Sequence, residues 1–317
     1  MEEWIFMIFA NKQKTFISIV VYIHNAEALI ENFLKSLYSV LNEHFERFEI
    51  ICANDASTDA TTDIIRKFAN SLNNCTLSIL NMSYYQGLEA AMHAGVDLAI
   101  GDFVFEFDST VLDYDPELIM RVYDLSLQGF DIVSCGREHT RSLSKLFYSI
   151  YNRHSGAQYK LKSETFRIIS RRAINRVHSM SENLPYRKAL YSNCGLKVDY
   201  IHYKPTNKND KHIQVLKSPH DTALTALILF TNIAHKVTLV FTIVMMLVTL
   251  GTAGYVVLIY ILGNPVEGYT TMMLLISGAF FAVFAVLTIV IKYLSVILGL
   301  IFHKQKYVFE SIERVAG

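Results

Sequence analysis

The sequence has no net charge: 29 Lys and Arg residues face 29 Asp and Glu. No bulk charge therefore draws the chain to a polyanion, and nucleic acid is not an expected partner. Cysteine is scarce and scattered. Cys52, Cys75, Cys135 and Cys194 lie far apart and lack metal-ligand spacing, which points to reduced thiols in a cytosolic setting. The first residues lack the basic region of a signal peptide: Met1 to Ala10 contains two glutamates, and its apolar patch, Trp4–Phe9, reads as a first strand or a membrane-surface contact. Charge is absent altogether from Val237 to Val266 and again from Gly268 to Ile291.

Those two uncharged runs hold most of the apolar excess in a chain that is 52% hydrophobic. Each exceeds the roughly 20 residues that cross a hydrocarbon core of about 30 Å. The alternative is a pair of buried core helices. The connector Gly263-Asn264-Pro265-Val266-Glu267-Gly268 carries no Lys or Arg, whereas Lys236 precedes the first run and Lys292, His303, Lys304 and Lys306 follow the second. The positive-inside rule predicts a hairpin with both chain ends cytosolic. Thr222 to Ile233 and Lys292 to Arg314 read as interfacial segments, the latter a helix returning along the headgroups, or else as extra core of the soluble domain. Small residues in the hairpin (Gly251, Ala253, Gly254, Gly278, Ala279) leave homo-oligomer formation open.

The first two-thirds alternates strands with helices. Phe16–Ile23 is a β-branched run suited to a strand buried on both faces. A helix is predicted from Ala26 to Leu41, a strand over Phe48–Ala53 and a helix from Ala60 to Leu72. A strand over Thr76–Leu80, a helix after Gly87, and strands over Phe103–Phe107 and Phe130–Cys135 follow. The pattern indicates an α/β, doubly wound and largely parallel sheet, in which ligands bind beyond the carboxyl ends of strands. Asn25, Asp55 and Asp108 each fall just past such an end.

A group that holds a diphosphate must neutralise its charge, through a divalent cation on carboxylates or through Arg and Lys. Asp108 is placed to bind a metal, strand parity puts Glu106 on the same face, and Asp113 and Asp115 follow in the loop. Asp55 stands where a ribose or base could be gripped. Arg137 and Arg141 follow the Phe130–Cys135 strand and suit phosphate, with surface salt bridging as the alternative. Arg167, Arg171 and Arg172 would add to a basic mouth, or belong to a cationic helix start.

From about Phe16 to Arg314 the chain resembles glycosyltransferase family 2, in particular its polyprenyl-phosphate branch. The resemblance is carried by Ser18–Glu27, by Glu49–Thr61 with its Asn54-Asp55-Ala56-Ser57-Thr58-Asp59 core, and by Gln86–Gly95. Gly101-Asp102-Phe103, Gly136-Arg137, Phe166–Arg171 and Lys306–Glu310 continue it. The sequence departs from the branch in four places. The usual Asp-x-Asp reads Asp108-Ser109-Thr110, and an Asp-Asp pair reads Asn54-Asp55. Tyr22 stands where Pro is common, and Thr206–Lys217 lacks the late Arg-x-x-Gly-x-Ser-Lys-Tyr segment.

The resemblance implies a GT-A-type, Rossmann-like nucleotide-sugar-binding domain with a C-terminal two-helix transmembrane hairpin. The expected layout is a cytosolic domain over 1–215, a juxtamembrane segment over 216–236, spans over 237–262 and 270–291, and a cytosolic amphipathic tail over 292–317. It further implies transfer of a sugar from a nucleotide sugar to a polyprenyl phosphate lipid at the membrane, in cell-envelope glycan synthesis or modification. Tyr22, Asn25, Glu27, Asp55, Gly87 and Asp108 would bind the donor, and Asp108, Arg137, Arg141 and Arg167 would serve catalysis. Mg2+ or Mn2+ would sit on Asp108, with Glu106 or Asp113 helping. Two alternatives stay open: another lipid or glycan acceptor, and a non-catalytic membrane protein that binds nucleotide sugar or scaffolds glycan assembly.

Overall fold

The computed structural model describes residues 12–72, 75–138, 148–149, 151–153, 159–180, 187–206, 233–263, 268–301 and 307–316. Arg141, the first ten residues, most of the juxtamembrane segment and the centre of the hairpin connector lie outside them. The chain divides into two units, one of residues 1–223 with 305–317, the other of residues 224–304.

The first unit is built on an eight-stranded sheet. Its strands are β1 (Ile17–Ile23), β2 (Phe48–Asn54), β3 (Cys75–Met82), β4 (Phe103–Phe107), β5 (Ile132–Arg137), β6 (Phe166–Ser170), β7 (Val198–Tyr203) and β8 (Phe309–Ala316), in the order β7-β5-β6-β4-β1-β2-β3-β8. Every residue of β1 is buried, which is why its β-branched side chains serve both faces. Ile17, Ile19, Val21 and Ile23 face a core shared with helices α1 (Ile30–His44), α2 (Thr61–Ala69) and α4 (Leu118–Leu127). Val20 and Tyr22 face a second core with α3 (Leu88–Leu98), α5 (Arg171–Ser179) and α6 (Arg187–Asn193). Helices on both faces make the fold doubly wound. Close approach of α3 to the sheet requires Gly95, because an added Cβ would lie 2.3 Å from Val20 Cγ1.

The sheet is less parallel than expected. β1, β2, β3 and β4 pair parallel, as do β5 and β7, but β6 enters antiparallel between β4 and β5. Phe166, at the start of β6, therefore stands opposite Phe107 at the carboxyl end of β4, and Ser170 stands opposite Phe103. Arg171 and Arg172 consequently sit at the other edge of the sheet. Arg171 donates there to the carbonyls of Ala99 and Gly101, and Arg172 pairs with Asp131. They do not join a basic mouth with Arg167.

The tail also differs from the expected interfacial helix. The helix after the connector is described to Ile301, and Phe309–Ala316 is a strand, antiparallel on the β3 edge. The last residues thus belong to the sheet of the first unit.

The second unit consists of α7 (Ile233–Leu262) and α8 (Tyr269–Ile301), packed along one another, with Thr252 and Ser277 hydroxyls 3.3 Å apart. Their uncharged stretches, Val240–Ile261 and Thr271–Ile291, are long and apolar enough to cross a membrane. Large apolar side chains such as Leu247, Ile261 and Leu275 are exposed. That pattern opposes the core-helix alternative and associates the chain with a membrane.

Candidate active site

Two clusters and one closed loop stand at the carboxyl edge of the sheet. The loop joins the ends of β1 and β2. Asn25, with φ of 48°, accepts from the Thr58 amide at 2.8 Å, and its own amide donates to Ser57 Oγ at 3.0 Å. Glu27 accepts from the Ala60 amide at 3.0 Å, and its amide donates to Asp59. Asn25 and Glu27 are exposed, and their described contacts tie the two turns together.

Asp55, expected to reach for a ligand, is fully buried and holds the chain instead. Its Oδ1 accepts from the Gln86 amide and its Oδ2 from the Gly87 amide, each at 2.8 Å. Tyr22 Oη donates to Oδ2 at 3.1 Å, and His24 Nδ1 lies 2.6 Å from the Asp55 carbonyl. Burial, then the Asp55 charge, push the Tyr22 phenol well above its ordinary range. Gly87 begins α3 at φ 87°, a conformation natural to glycine. The loop so fixed carries two exposed rings, Tyr84 and Tyr85, the latter 4.7 Å from the His24 ring.

The first cluster surrounds the end of β4. Glu106 is directly opposite Arg167 in the antiparallel register and is completely buried. Its Oε2 lies 2.6 Å from Arg187 Nη1 and 3.4 Å from Arg167 Nε, and its Oε1 accepts from Tyr191 Oη at 2.7 Å. Asp108 pairs with Arg187 Nη2 at 2.9 Å, Arg167 Nη2 at 3.1 Å and Lys188 Nζ at 3.2 Å. Glu89, from the first turn of α3, takes Arg187 Nε at 3.0 Å, and Glu164 faces Arg167 Nε at 3.1 Å. Burial alone would raise the Asp108 pKa, but Lys188, Arg167 and Arg187 outweigh it and hold the carboxyl well below its usual range.

Four carboxylates thus meet three cations, so the cluster compensates itself and presents no surplus of positive charge. Arg167 and Arg187 have 1% and 0% of their side chains exposed, whereas Lys188 and Asp108 each have 11%. The two arginines orient Asp108 from behind; Lys188 and Asp108, with Glu89 and Glu164, carry the little exposure the cluster has, 10–14% of each side chain. Arg167 was expected to hold phosphate; its described ion pairs are with carboxylates, its Cζ lies 5.4 Å from the centre of the Tyr191 ring, and its buried Nη1 has no hydrogen-bond partner among the described residues.

The second cluster sits at the end of β5. Arg137, 30% exposed, places Nε 2.6 Å from Asp113 Oδ2 as an ion pair rather than an aligned hydrogen bond. Asp113 also accepts from Tyr203 Oη at 2.8 Å. Asp113 is therefore committed to Arg137 and β7 and does not join Asp108.

A divalent ion does not fit this donor set as it stands. Both oxygens of Asp108 face cations, Glu106 is engaged on both oxygens, and the position of a second carboxylate is Thr110. Among the described residues, no group of three or more His, Cys, Asp and Glu could hold a metal. Arg187, Lys188 and Glu89 were not among the expected site residues. One signal was available: Glu106 interrupts the apolar run Phe103–Phe107, and a buried carboxylate requires a cation.

Comparison with known proteins gives the family. A family model described as "Glycosyl transferase family 2" matches residues 18–195, more than half of the chain. An uncharacterized glycosyltransferase of Synechocystis is 28% identical over 270 residues, covering 82% of this chain and 84% of the relative. The bactoprenol glucosyl transferase of Shigella phage SfV is 27% identical over 311 residues, covering 93% of this chain and 98% of the relative. Among solved structures, a mannosyltransferase from Pyrobaculum calidifontis in complex with GDP-Man and Mn2+ is similar with a TM-score of 0.45 and 16% identity. That alignment covers 64% of this chain and 61% of the other.

Proposed function

The chain belongs to glycosyl transferase family 2, and from that premise we propose that it moves a sugar from a nucleotide sugar to polyprenyl phosphate at the cytosolic face of a membrane, in cell-envelope glycan modification. The observation that carries this reading is the lip of Asp108 and Lys188 at the carboxyl end of β4, fixed by buried arginines. Support for the acceptor comes from the bactoprenol glucosyl transferase of phage SfV, whose alignment takes in almost its entire length, and from two apolar helices suited to meeting a lipid substrate. Lys236 before the first span and Lys292 after the second favour cytosolic chain ends.

In this reading the acceptor phosphate is already an anion, so positioning and charge stabilisation carry the catalysis. Tyr22, Asp55 and Gly87 shape the nucleoside side of the crevice, with Asn25 and Glu27 holding its floor. Lys188 and Arg137 face the departing diphosphate and the acceptor phosphate, and Arg141, outside the described residues, is expected to assist them. Asp108 is held ionised to aim Lys188, and Arg167 and Arg187 hold Asp108. No step is routed through a metal ion.

The test is to incubate membranes containing the full chain with radiolabelled UDP- and GDP-sugars. Label entering an acid-labile phospholipid, and lost in a Lys188→Ala, Arg137→Ala double variant that still folds, is the expected result. Label entering a glycan or acid-stable lipid instead would refute the acceptor. Unchanged transfer by the double variant would refute the assigned cations.

A further inference from the structure

We infer that the C-terminal strand β8 is a working part of the nucleotide site, with Gln86 as the positioning residue that joins them. This rests on the reading that the crevice beside Asp55 takes a nucleoside diphosphate.

The strand continues the sheet beyond β3, pairing Leu77 with Ala316 at one end and Met82 with Phe309 at the other. The Met82 end is the carboxyl edge, where ligands of such sheets bind. Just past it the chain is held by side-chain hydrogen bonds. The Gln86 amide brackets Val308 as a strand would: its Nε2 donates to the Val308 carbonyl, and its Oε1 accepts from the Val308 amide at 2.9 Å. The same carbonyl accepts from the Ser83 amide at 3.3 Å. On its other side Gln86 gives its backbone amide to Asp55. Gln86 thus spans from the buried carboxylate at the end of β2 to the last segment of the chain.

The held loop is the one that carries the exposed Tyr84 and Tyr85 rings beside His24. Rings that stack on a base gain from being fixed in advance, because ordering them on binding would subtract from affinity. Asp55 fixes the loop from within, and Val308 fixes it from the edge. A further tie anchors the segment independently: Tyr307 Oη donates to Asp97 at 2.8 Å, and Asp97 also meets His178 Nε2 at 2.8 Å. In sequence, residues 307–316 follow both apolar helices, so the nucleotide site is completed only by chain made after the hairpin. At the far side of the same strand, Glu313 pairs with Arg66 of α2 at 2.9 Å. That contact belongs to the strand and not to the loop, which makes it a control.

The detergent-solubilised full chain, with Gln86→Leu and Arg66→Ala variants, would be titrated with UDP and with GDP by calorimetry. Donor KM and kcat would be measured alongside. Losing the bracket should weaken the better-bound nucleotide about tenfold, the equivalent of ~1.4 kcal/mol, and raise donor KM with kcat little changed. Arg66→Ala should leave both alone. A Gln86→Leu protein that binds like wild type, or an Arg66→Ala protein weakened equally, overturns the inference. A second measurement needs no variant. Hydrogen exchange at residues 309–316 should slow when nucleotide is added to wild type, and exchange there that ignores a nucleotide which binds also overturns it. Wild type that binds neither nucleotide overturns the underlying reading and this inference with it, an outcome separable from the others.

Discussion

Replacing Arg187 with leucine tests whether the cluster at the end of β4 holds the domain together. The side chain is fully buried and pairs with Glu106 at 2.6 Å, Asp108 at 2.9 Å and Glu89 at 3.0 Å. Removing one partner of a buried ion pair costs about 3–5 kcal/mol, because a charge is left without compensation. Here compensation is partial. Asp108 keeps Arg167 and Lys188, and Glu106 keeps the Tyr191 hydroxyl and Arg167 at 3.4 Å. The loss should therefore fall near the lower bound, ~3 kcal/mol, still a large part of a stability of about 5–15 kcal/mol. For a domain of this size that lowers Tm by about 6–12 °C. Thermal melts of the detergent-solubilised chain, followed by near-ultraviolet circular dichroism, would report it. The double variant Arg187→Leu, Glu106→Leu removes the stranded carboxylate together with its partner and should recover more than half of the loss. A single variant within ~1 kcal/mol of wild type, about 2–4 °C, would refute the argument. So would a double variant whose loss equals the sum of the singles.

Three further outcomes follow from the same geometry. Asp108 is held well below its ordinary pKa by Lys188, Arg167 and Arg187 against the opposing effect of burial. Its stabilisation is present above the unfolded value of about 3.9 and is lost as pH falls below it, so Tm between about pH 5 and pH 3 should drop more steeply in wild type than in Asp108→Asn; equal slopes would count against the assignment. Because the carboxylates do not fit a divalent ion as arranged, transfer by chelator-treated membranes should persist in EDTA, and Mn2+ should produce no saturable calorimetric heat at Asp108; loss of turnover in EDTA restored by Mn2+ would refute this. All four cysteines are free and buried, and burial pushes the thiols of Cys52, Cys75 and Cys135 up to about 12. Ellman's reagent should therefore react with them only after denaturation, and prompt labelling of the native chain would refute their burial.

The central strands were legible because each carries its own signal. The expected Phe103–Phe107 is β4 residue for residue, and Phe16–Ile23 and Phe48–Ala53 differ from β1 and β2 by one residue. A strand buried on both faces writes itself as a continuous apolar run, and the ligand edge then places Asp55 and Asp108 without further help. Direction within the sheet was not legible. Nothing local in Phe166–Ser170 says that it runs against β4, yet that reversal puts Arg167 in the site and sends Arg171 and Arg172 to the far edge. The edge strand β8 was hidden for another reason. Register shifts against Leu77/Ser78 and Asn81/Met82 put Phe309, Ile312 and Arg314 on one face and Ser311, Glu313 and Ala316 on the other, so the two-residue period is broken and neither face is cleanly apolar. What specifies β8 is pairing with β3 and contacts made far away in sequence, through Asn81, Gln86 and Arg66.

Glu106 marks the limit between what a sequence requires and what it identifies. A carboxylate in the middle of an apolar, buried strand cannot be left unpaired, so a cation was required as soon as Phe103–Phe107 was taken for a strand. Arg137, Arg141 and Arg167 were the visible candidates, being attached to recognisable strands. Only Arg167 answers among the described residues, and it answers at 3.4 Å, while the shorter contact comes from Arg187 on a seven-residue helix with no clear apolar period. That substitution changes the chemistry assigned to the site. In the proposed reading Lys188 and Arg137 meet the diphosphate, while Arg167 and Arg187 pair with Glu106, Asp108, Glu89 and Glu164, and Arg167 keeps a buried Nη1 without a hydrogen-bond partner among the described residues. In that reading Asp108, expected as a metal ligand, is the group that aims Lys188.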